Sequence, residues 1–171
     1  MATPVLAITP GEPAGIGPEI LLQFCREHPE FRVLAIADPE LLKQAGSRLG
    51  YVPPITRWQP GAEVRSGELA CCPINLRKPV TPGRLEPANA AYVLETIRRA
   101  VDLVRHGHAG ALVTGPIHKG LINDSGQPFS GHTEFLAELS GFARVVMMLA
   151  APGRRGALVT THLPLRAVAD A

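Results

Sequence analysis

Two histidines are the side chains in this sequence that are best suited to chemistry. His132 lies in the polar stretch GQPFSGHTEF at residues 126–135, where Thr133 follows it, and His162 comes directly after an apolar run that ends at Thr161. An imidazole and a hydroxyl can orient a polar substrate, and a neutral imidazole can also ligate a divalent metal. A metal needs three or more ligands, so one histidine alone does not make a metal site. A surface histidine beside a helix cap remains the alternative.

A glycine-rich loop is the second candidate. In the stretch TPGEPAGIGPEI at residues 9–20, Gly15 and Gly17 permit sharp backbone turns before a helix that begins near Pro18. The free amides of a helix N-terminus can bind an anion, so these glycines are candidates for an anion-binding loop. The spacing matches neither the dinucleotide fingerprint nor the P-loop. A tight turn without a ligand is an equally good interpretation.

The stretch VTGPIHKGLINDSGQPFSGHTEF at residues 113–135 concentrates hydrogen-bonding side chains after an apolar run. Among them, Lys119 and Asp124 are candidates for contacts with a phosphate or within the loop. Any one of these side chains could simply be exposed to solvent, but solvation alone does not explain why so many hydrogen-bonding residues lie in one loop. Open α/β sheets bind their ligands at the carboxyl ends of the strands, so this position favours a site.

The elements that would position these residues are those of an α/β fold. Short apolar runs alternate with segments of helical period, which predicts a mostly parallel sheet flanked by helices. Asp38 is a candidate N-cap for a helix that starts at Pro39. In this arrangement His132 and His162 both lie at carboxyl ends of strands and face one cleft. The longest predicted helix spans 86–106, and the predicted strands are 5–9, 32–37, 69–75, 109–114, 145–150 and 157–161.

Composition excludes several classes of protein. The chain of 171 residues is 46% hydrophobic, enough for one good core. Seventeen Lys and Arg against fifteen Asp and Glu, with no basic run, argue against a protein that binds nucleic acid or a membrane surface. The three cysteines form no C-x-x-C pair, which favours reduced thiols. Without a signal peptide or a long apolar span, we expect a cytoplasmic protein.

The C-terminal segment 163–171 has the pattern of a helix that has just begun, with no strand after it. We therefore interpret residues 1–171 as a fragment of a longer α/β protein. The missing part would leave some of the sheet uncovered. We expect exposed apolar surface and a tendency to associate.

The whole chain resembles part of a known enzyme family, and four stretches show the resemblance most clearly. They are ITPGEPAGIGPEI at 8–20, VTGPIHKGLINDSGQPFSGHTEFLAELSG at 113–141, VVMMLA at 145–150 and VTTHLPLRAVADA at 159–171. With them the chain resembles the N-terminal half of the 4-hydroxythreonine-4-phosphate dehydrogenase family of pyridoxal phosphate biosynthesis. The GIGPE portion also resembles the opening of isocitrate- and isopropylmalate-type dehydrogenases, which implies their type of α/β fold.

The resemblance implies an enzyme that oxidises 4-phosphohydroxy-L-threonine with NAD or NADP and decarboxylates it to 3-amino-2-oxopropyl phosphate. It implies a homodimer in which His132 and Thr133 contact the substrate. His162 would be one of three histidines that hold a divalent metal such as zinc, magnesium or cobalt. The other metal ligands and most of the nicotinamide pocket would lie in the absent half, so we expect this chain to be inactive alone. The alternatives are a D-threonate or D-erythronate 4-phosphate dehydrogenase and a non-catalytic phosphometabolite-binding module.

Overall fold

The computed structural model of the chain describes residues 3–142, 145–160 and 163–170. Two compact units make up the chain, Met1–Ser130 and Gly131–Ala171. The first unit contains a five-stranded sheet, and the described residues of the second contain an α-helix, a two-stranded hairpin and a 3-10 helix.

The sheet of the first unit is parallel throughout. Its strands run in the order β3-β4-β2-β1-β5, and every neighbouring pair is parallel. This confirms the predicted parallel sheet. The strands are β1 (Val5–Thr9), β2 (Arg32–Ala37), β3 (Ile55–Arg57), β4 (Leu69–Pro73) and β5 (Ala111–Thr114).

Helices cover both faces of this sheet. Leu22 from one helix and Leu42 from the next pack against Val33 and Leu69 on one face. Successive strand residues point to opposite faces, so Leu34 and Ile36 are buried on the other, where the longest helix contacts β1, β2 and β5. The central strand β2 is thus covered on both sides, as its apolar sequence predicts. The helices are α1 (Gly17–Glu27), α2 (Pro39–Leu49), α3 (Ala90–Arg105) and α4 (Lys119–Asp124).

Helix α2 shows how closely local sequence determines an element. The Asp38 carboxylate accepts hydrogen bonds from the amides of Glu40 and Leu41 at 2.8 and 3.3 Å, so the predicted N-cap is confirmed. At the other end Gly50 adopts a left-handed conformation with φ of 64° and stops the helix.

Several predicted bounds in this unit are wrong. Strand β3 is absent from the predicted strands, and β4 ends at Pro73 rather than at residue 75. The predicted helix 86–106 is a 3-10 turn at Pro87–Asn89 followed by α3. Helix α4 lies within a stretch that we interpreted as a polar loop.

The second unit does not follow the predicted pattern. It contains α5 (His132–Ser140), a hairpin of β6 (Met148–Ala151) and β7 (Arg154–Ala157), and a 3-10 helix at Leu165–Asp170. The hairpin is antiparallel, so the prediction of strands 145–150 and 157–161 within a parallel sheet is wrong. Residues 158–160 lie outside any strand, and Thr161 lies outside the described residues.

The remaining predictions from composition concern cysteines and membranes. Cys71 is buried, Cys25 and Cys72 are partly buried, and all three are free, which confirms the predicted reduced thiols. Of the helices in the described part of the chain, none has the length and apolar character needed to cross a bilayer.

Candidate functional site

The loops that follow β1 and β5 form one structure at the carboxyl edge of the sheet. The amide of Glu12 donates a hydrogen bond to the carbonyl oxygen of Pro116 at 2.8 Å, and the amide of Gly115 donates to that of Thr9 at 2.7 Å. The two strands are parallel neighbours, so their loops emerge side by side. The structure therefore brings together two of the segments that the sequence marks as candidate sites.

Glycines allow these loops to approach so closely. A Cβ on Gly17 or on Gly115 would overlap the carbonyl oxygen of Pro10, and one on Gly11 would overlap that of Pro116. Gly11 also has a φ of 83°, which side chains rarely adopt. Close backbone contact, rather than a ligand, therefore accounts for glycine at these positions.

The glycine loop already contains an acidic side chain of its own. Glu12 is only 6% exposed, and its Oε1 accepts a hydrogen bond from the amide of Ala14 at 3.1 Å. The amide of Gly15, one of the two predicted anion-binding glycines, donates to the carbonyl oxygen of Glu12 at 3.0 Å. Our sequence interpretation considered only the glycines and missed Glu12. The available signal was an acidic residue just after a buried strand, inside a loop of glycine and proline.

Burial gives the Glu12 carboxyl unusual acid–base behaviour. Loss of solvent raises its pKa above the ordinary value for glutamate, while the Ala14 amide and the nearby His118 oppose that rise. A buried carboxyl with a raised pKa can retain a proton at a pH at which an exposed glutamate has lost it. Groups of this kind are found at active sites as well as in structural loops.

The side chain of His118 begins helix α4. Its Nδ1 accepts a hydrogen bond from the amide of Leu121 at 3.0 Å, which caps the first turn of the helix. Lys119 and Asp124, the candidate phosphate or loop contacts, are the first and last residues of this helix and are both exposed. The two residues are five positions apart in the helix, which separates their side chains by about 140° around the helix axis. The two side chains therefore do not point toward one ligand.

Asn123 has a structural role in the loop that follows α4. Its Oδ1 accepts from the amide of Phe129 at 2.9 Å, and its Nδ2 donates to the carbonyl oxygens of Phe129 and Lys119, both at 3.0 Å. Phe129 is buried. The side chain thus closes the loop, and this accounts for one of the polar residues that made the stretch unusual.

A third segment reaches the same edge of the sheet. We call residues 74–86, between β4 and the 3-10 turn, the strap. Asn89 is 1% exposed, and its Oδ1 accepts from the amides of Arg77 and Lys78, both at 3.0 Å, while its Nδ2 donates to the Lys78 carbonyl oxygen at 3.1 Å. The amide of Gly83 donates to the carbonyl oxygen of Ala14 at 2.8 Å. One buried amide side chain and one backbone bond therefore fix the strap beside the glycine loop.

The strap and α2 border an open cavity of about 480 Å³ that Arg77, Lys78 and Asp38 help to line. The Asp38 carboxylate is fully engaged, because Oδ1 caps α2 and Oδ2 accepts from the amide of Leu76 at 3.0 Å. Dinucleotide-binding domains use a free acid near this point to hold the ribose. Asp38 does not provide such a free carboxylate, because both of its oxygens accept backbone hydrogen bonds. Arg77 and Lys78 are exposed and could contact an anionic ligand in this cavity.

The other predicted site residues belong to the second unit. His132 and Thr133 are the first two residues of α5, in the first turn where backbone amides lack helical partners. His162 lies outside the described residues, so its predicted position in the same cleft as His132 stays a prediction. Within residues 3–142, 145–160 and 163–170, no three or more His, Cys, Asp and Glu side chains form a group that could hold a metal.

The cysteines do not provide a reactive nucleophile. Burial raises the pKa of Cys25 to about 11 and that of Cys71 to about 12, and it also raises the pKa of Cys72. The thiolate is the nucleophilic form, so these thiols are unreactive near neutral pH.

Comparison with known proteins shows what the chain is similar to. The family described as pyridoxal phosphate biosynthetic protein PdxA matches residues 30–171. A 4-hydroxythreonine-4-phosphate dehydrogenase of Chromobacterium violaceum is 50% identical over 98% of the chain, and one of Pseudomonas aeruginosa is 50% identical over 96%. The chain covers 51% and 52% of those two proteins, so it spans about half their length.

Solved structures show the same relationship. A crystal structure of a 4-hydroxythreonine-4-phosphate dehydrogenase from Burkholderia phymatum matches 95% of the chain with a TM-score of 0.84 and 33% sequence identity. The chain covers 51% of that protein as well. The α/β dehydrogenase type of fold that the sequence predicts is therefore confirmed.

Proposed function

The chain belongs to the family of the pyridoxal phosphate biosynthetic protein PdxA, and from that premise we propose that it is the N-terminal half of a 4-hydroxythreonine-4-phosphate dehydrogenase. The observation that carries the proposal is the identity of 50% over 98% of the chain with a relative of that name. The reaction would be oxidation of 4-phosphohydroxy-L-threonine with NAD or NADP, with decarboxylation to 3-amino-2-oxopropyl phosphate, in vitamin B6 biosynthesis. The complete enzyme would be a cytoplasmic homodimer.

The roles that we propose for individual residues rest on their chemistry and position. His132 and Thr133 would bind the substrate with side-chain donors beside the free amides of the first turn of α5, which suit an anionic group. Lys119 would contact a phosphate group, and Asp124 would contribute only to the loop. For Gly15 and Gly17, the contacts within the glycine loop support a role in shaping it rather than in direct anion binding.

The nicotinamide cofactor would accept a hydride, and a divalent metal would polarise the hydroxyl that is oxidised. The described residues of this half do not form a complete site for either group. Asp38 is engaged in local hydrogen bonds, and the described ranges contain no cluster of metal ligands. We therefore propose His162 as one metal ligand only and assign the remaining contacts to the other half of the protein.

The experiment that tests this function is an assay of nicotinamide reduction by the full-length protein. We expect kcat/KM to be highest with 4-phosphohydroxy-L-threonine. A value at least tenfold higher with D-threonate or D-erythronate 4-phosphate, equivalent to about 1.4 kcal/mol of transition-state discrimination, would instead make the protein a sugar-acid phosphate dehydrogenase. No reduction of either cofactor with any of the three, in the presence of metal, would support the non-catalytic alternative.

Two variants test the proposed substrate contacts in the same assay. His132→Ala should lower kcat/KM at least tenfold, because it removes a donor that orients the substrate. His106→Ala is the matched control, since His106 is an exposed histidine at the end of α3. Equal activity of the two variants would contradict the role of His132.

A further inference from the structure

The cavity that the strap and α2 border, which we call the strap cavity, lies at the carboxyl edge of the sheet. The strap follows β4 and α2 follows β2, and these two strands are parallel neighbours. The amide of Ile74 donates a hydrogen bond to the carbonyl oxygen of Ala37 at 3.0 Å, so the strap begins beside the end of β2. Open α/β sheets bind their ligands at this edge, and a volume of about 480 Å³ is typical of a site for a small organic molecule.

The backbone of the strap is fixed where it borders this cavity. The amide of Leu76 donates to Oδ2 of Asp38 at 3.0 Å. The amides of Arg77 and Lys78 both donate to Oδ1 of Asn89 at 3.0 Å, and Asn89 is 1% exposed. Three consecutive residues of the strap are thus held by two side chains from other segments. A cation on such a backbone loses less conformational entropy on binding a ligand than a cation on a mobile loop.

Two positive charges in the strap cavity are available to a ligand. Arg77 and Lys78 are exposed, and neither forms an ion pair with an acidic side chain among the described residues. The acids beside them are already engaged. Both carboxylate oxygens of Asp38 accept backbone amides, and Oε2 of Glu40 lies 3.6 Å from Nζ of Lys43. The strap cavity therefore suits an anion.

The backbone amides at the start of α2 do not contribute to binding this anion. Pro39 has no amide hydrogen, and the amides of Glu40 and Leu41 donate to Oδ1 of Asp38. The amide of Leu42 donates to the carbonyl oxygen of Asp38 at 3.3 Å. The first turn of the helix is thus fully satisfied from within, so an anion in the strap cavity is bound by side-chain cations.

We propose that the strap cavity binds the phosphate group of a phosphorylated small molecule through Arg77 and Lys78, with Asn89 as the positioning residue. A guanidinium can bind a phosphate through two parallel hydrogen bonds, and an ammonium adds a second positive charge. Two cations match the charge of a phosphate monoester near neutral pH. The size of the cavity leaves room for the organic part of the ligand beside its phosphate.

The proposed function supplies two sources of such a phosphate, and the choice of ligand rests on that function. One source is the 2′-phosphate that distinguishes NADP from NAD, and the other is the phosphate of the four-carbon substrate. Dinucleotide-binding domains hold the ribose 2′-hydroxyl of NAD with a free acid near the end of the second strand, and they hold the 2′-phosphate of NADP with a nearby arginine. Asp38 has no free oxygen for a hydroxyl, whereas Arg77 is available, so we expect the phosphate of NADP.

Direct binding to the full-length protein tests the proposal. Isothermal titration calorimetry gives the affinities of wild type, Arg77→Gln and Lys78→Gln for NADP, NAD and O-phospho-L-homoserine. The last compound has the carbon chain and the phosphate of the proposed substrate but lacks the hydroxyl that is oxidised. We expect each substitution to weaken NADP binding at least tenfold and to leave NAD binding unchanged. Arg84→Gln is the matched control, since Arg84 is exposed on the same strap but does not line the cavity.

The ligand that loses affinity identifies the source of the phosphate. A tenfold loss for O-phospho-L-homoserine alone would support the site and make the substrate its ligand. Unchanged affinities for all three ligands would overturn the proposal, and so would an equal loss for NADP and NAD, since NAD carries no phosphate monoester. The same loss in Arg84→Gln would also overturn it, because net charge would then be the cause. Failure of the protein to reduce either cofactor would contradict the proposed function alone, since binding is measured without turnover.

Asn89→Ala tests the positioning role, because it removes no charge. The substitution releases the amides of Arg77 and Lys78 and should weaken binding of the same phosphorylated ligand at least threefold. Asn75→Ala is the control, since Asn75 is an exposed residue of the strap, and it should leave the affinity unchanged. Equal affinities of Asn89→Ala and wild type would remove Asn89 from the proposed site.

Discussion

The carbonyl oxygen of Pro10 occupies the space where a side chain on Gly17 would lie. This contact joins the end of β1 to the first residue of α1, so the loop can close only if residue 17 lacks a Cβ. The neighbouring atoms are backbone, which cannot move aside without displacing β1 or α1.

Gly17→Ala should therefore lower the free energy of unfolding by about 2–3 kcal/mol, the upper part of the range for overpacking that displaces the backbone. Urea denaturation followed by circular dichroism measures the change. Gly61→Ala is the control in the same unit, because Gly61 has a positive φ of 89° but open space around its Cβ position. That variant should lose only about 1 kcal/mol, the cost of the left-handed conformation alone. Similar losses in the two variants would show that the contact with Pro10 is unimportant.

The sequence predicts the first unit better than the second, and the reason is burial. Strands β1 and β2 are apolar runs covered on at least one face, so hydrophobicity alone marks them. All eight residues of the β6–β7 hairpin are exposed, and two of them are Arg154 and Arg155. Backbone pairing and the turn at Gly153, with φ of 73°, determine this hairpin, and a search for apolar runs misplaces it.

The sequence was less informative about the candidate site. The sequence marked the loops after β1 and β5 as candidates because the glycines of one and the polar residues of the other each lie close together along the chain, and the structure places the two loops side by side. It did not reveal that Glu12 is buried or that Asn89 fixes the strap, since both depend on contacts between distant segments. Contacts between distant segments produce no local pattern in the sequence, so they cannot be predicted from a single sequence.

Glu12→Gln should change how stability depends on pH. Burial raises the pKa of Glu12, so the folded protein binds this proton more tightly than the unfolded chain does. The resulting stabilisation is fully present below the unfolded pKa and is lost as pH rises through the folded pKa. Glutamine does not titrate, and its oxygen can still accept the Ala14 amide. As pH rises from the ordinary glutamate pKa of 4.5 through the raised pKa of the folded state, the free energy of unfolding of the wild type should fall relative to that of the variant.

Urea denaturation of both proteins at a series of pH values checks this prediction. Unfolding free energies that stay parallel over the whole range would mean that the carboxyl of Glu12 titrates alike in the folded and unfolded states. The same result would remove the reason to regard Glu12 as a group with special acid–base behaviour.

Asn89→Ala should release the strap. The substitution removes the acceptor for two amides and the donor to one carbonyl oxygen, and it should cost about 1–3 kcal/mol of unfolding free energy. Hydrogen exchange at the amides of Arg77 and Lys78 should become faster than in the wild type. Asn75→Ala is the control, since Asn75 is exposed on the same strap and should change stability by less than about 0.5 kcal/mol. Unchanged exchange at residues 77 and 78 would show that other contacts hold the strap.

His162→Ala tests the proposed metal ligand and should be made in the full-length protein. Removing one of three imidazoles should lower divalent-metal affinity and kcat together, each by at least about tenfold, while the fold remains intact. Equilibrium dialysis measures the metal, and circular dichroism checks the fold. His28→Ala is the control, because the side chain of His28 is 48% exposed and lies beside Glu30 after the end of α1. The 171-residue chain itself should bind zinc, magnesium or cobalt only weakly, since it supplies one of the three expected imidazoles. Unchanged metal stoichiometry and affinity in the full-length His162→Ala variant would remove this residue from the metal site.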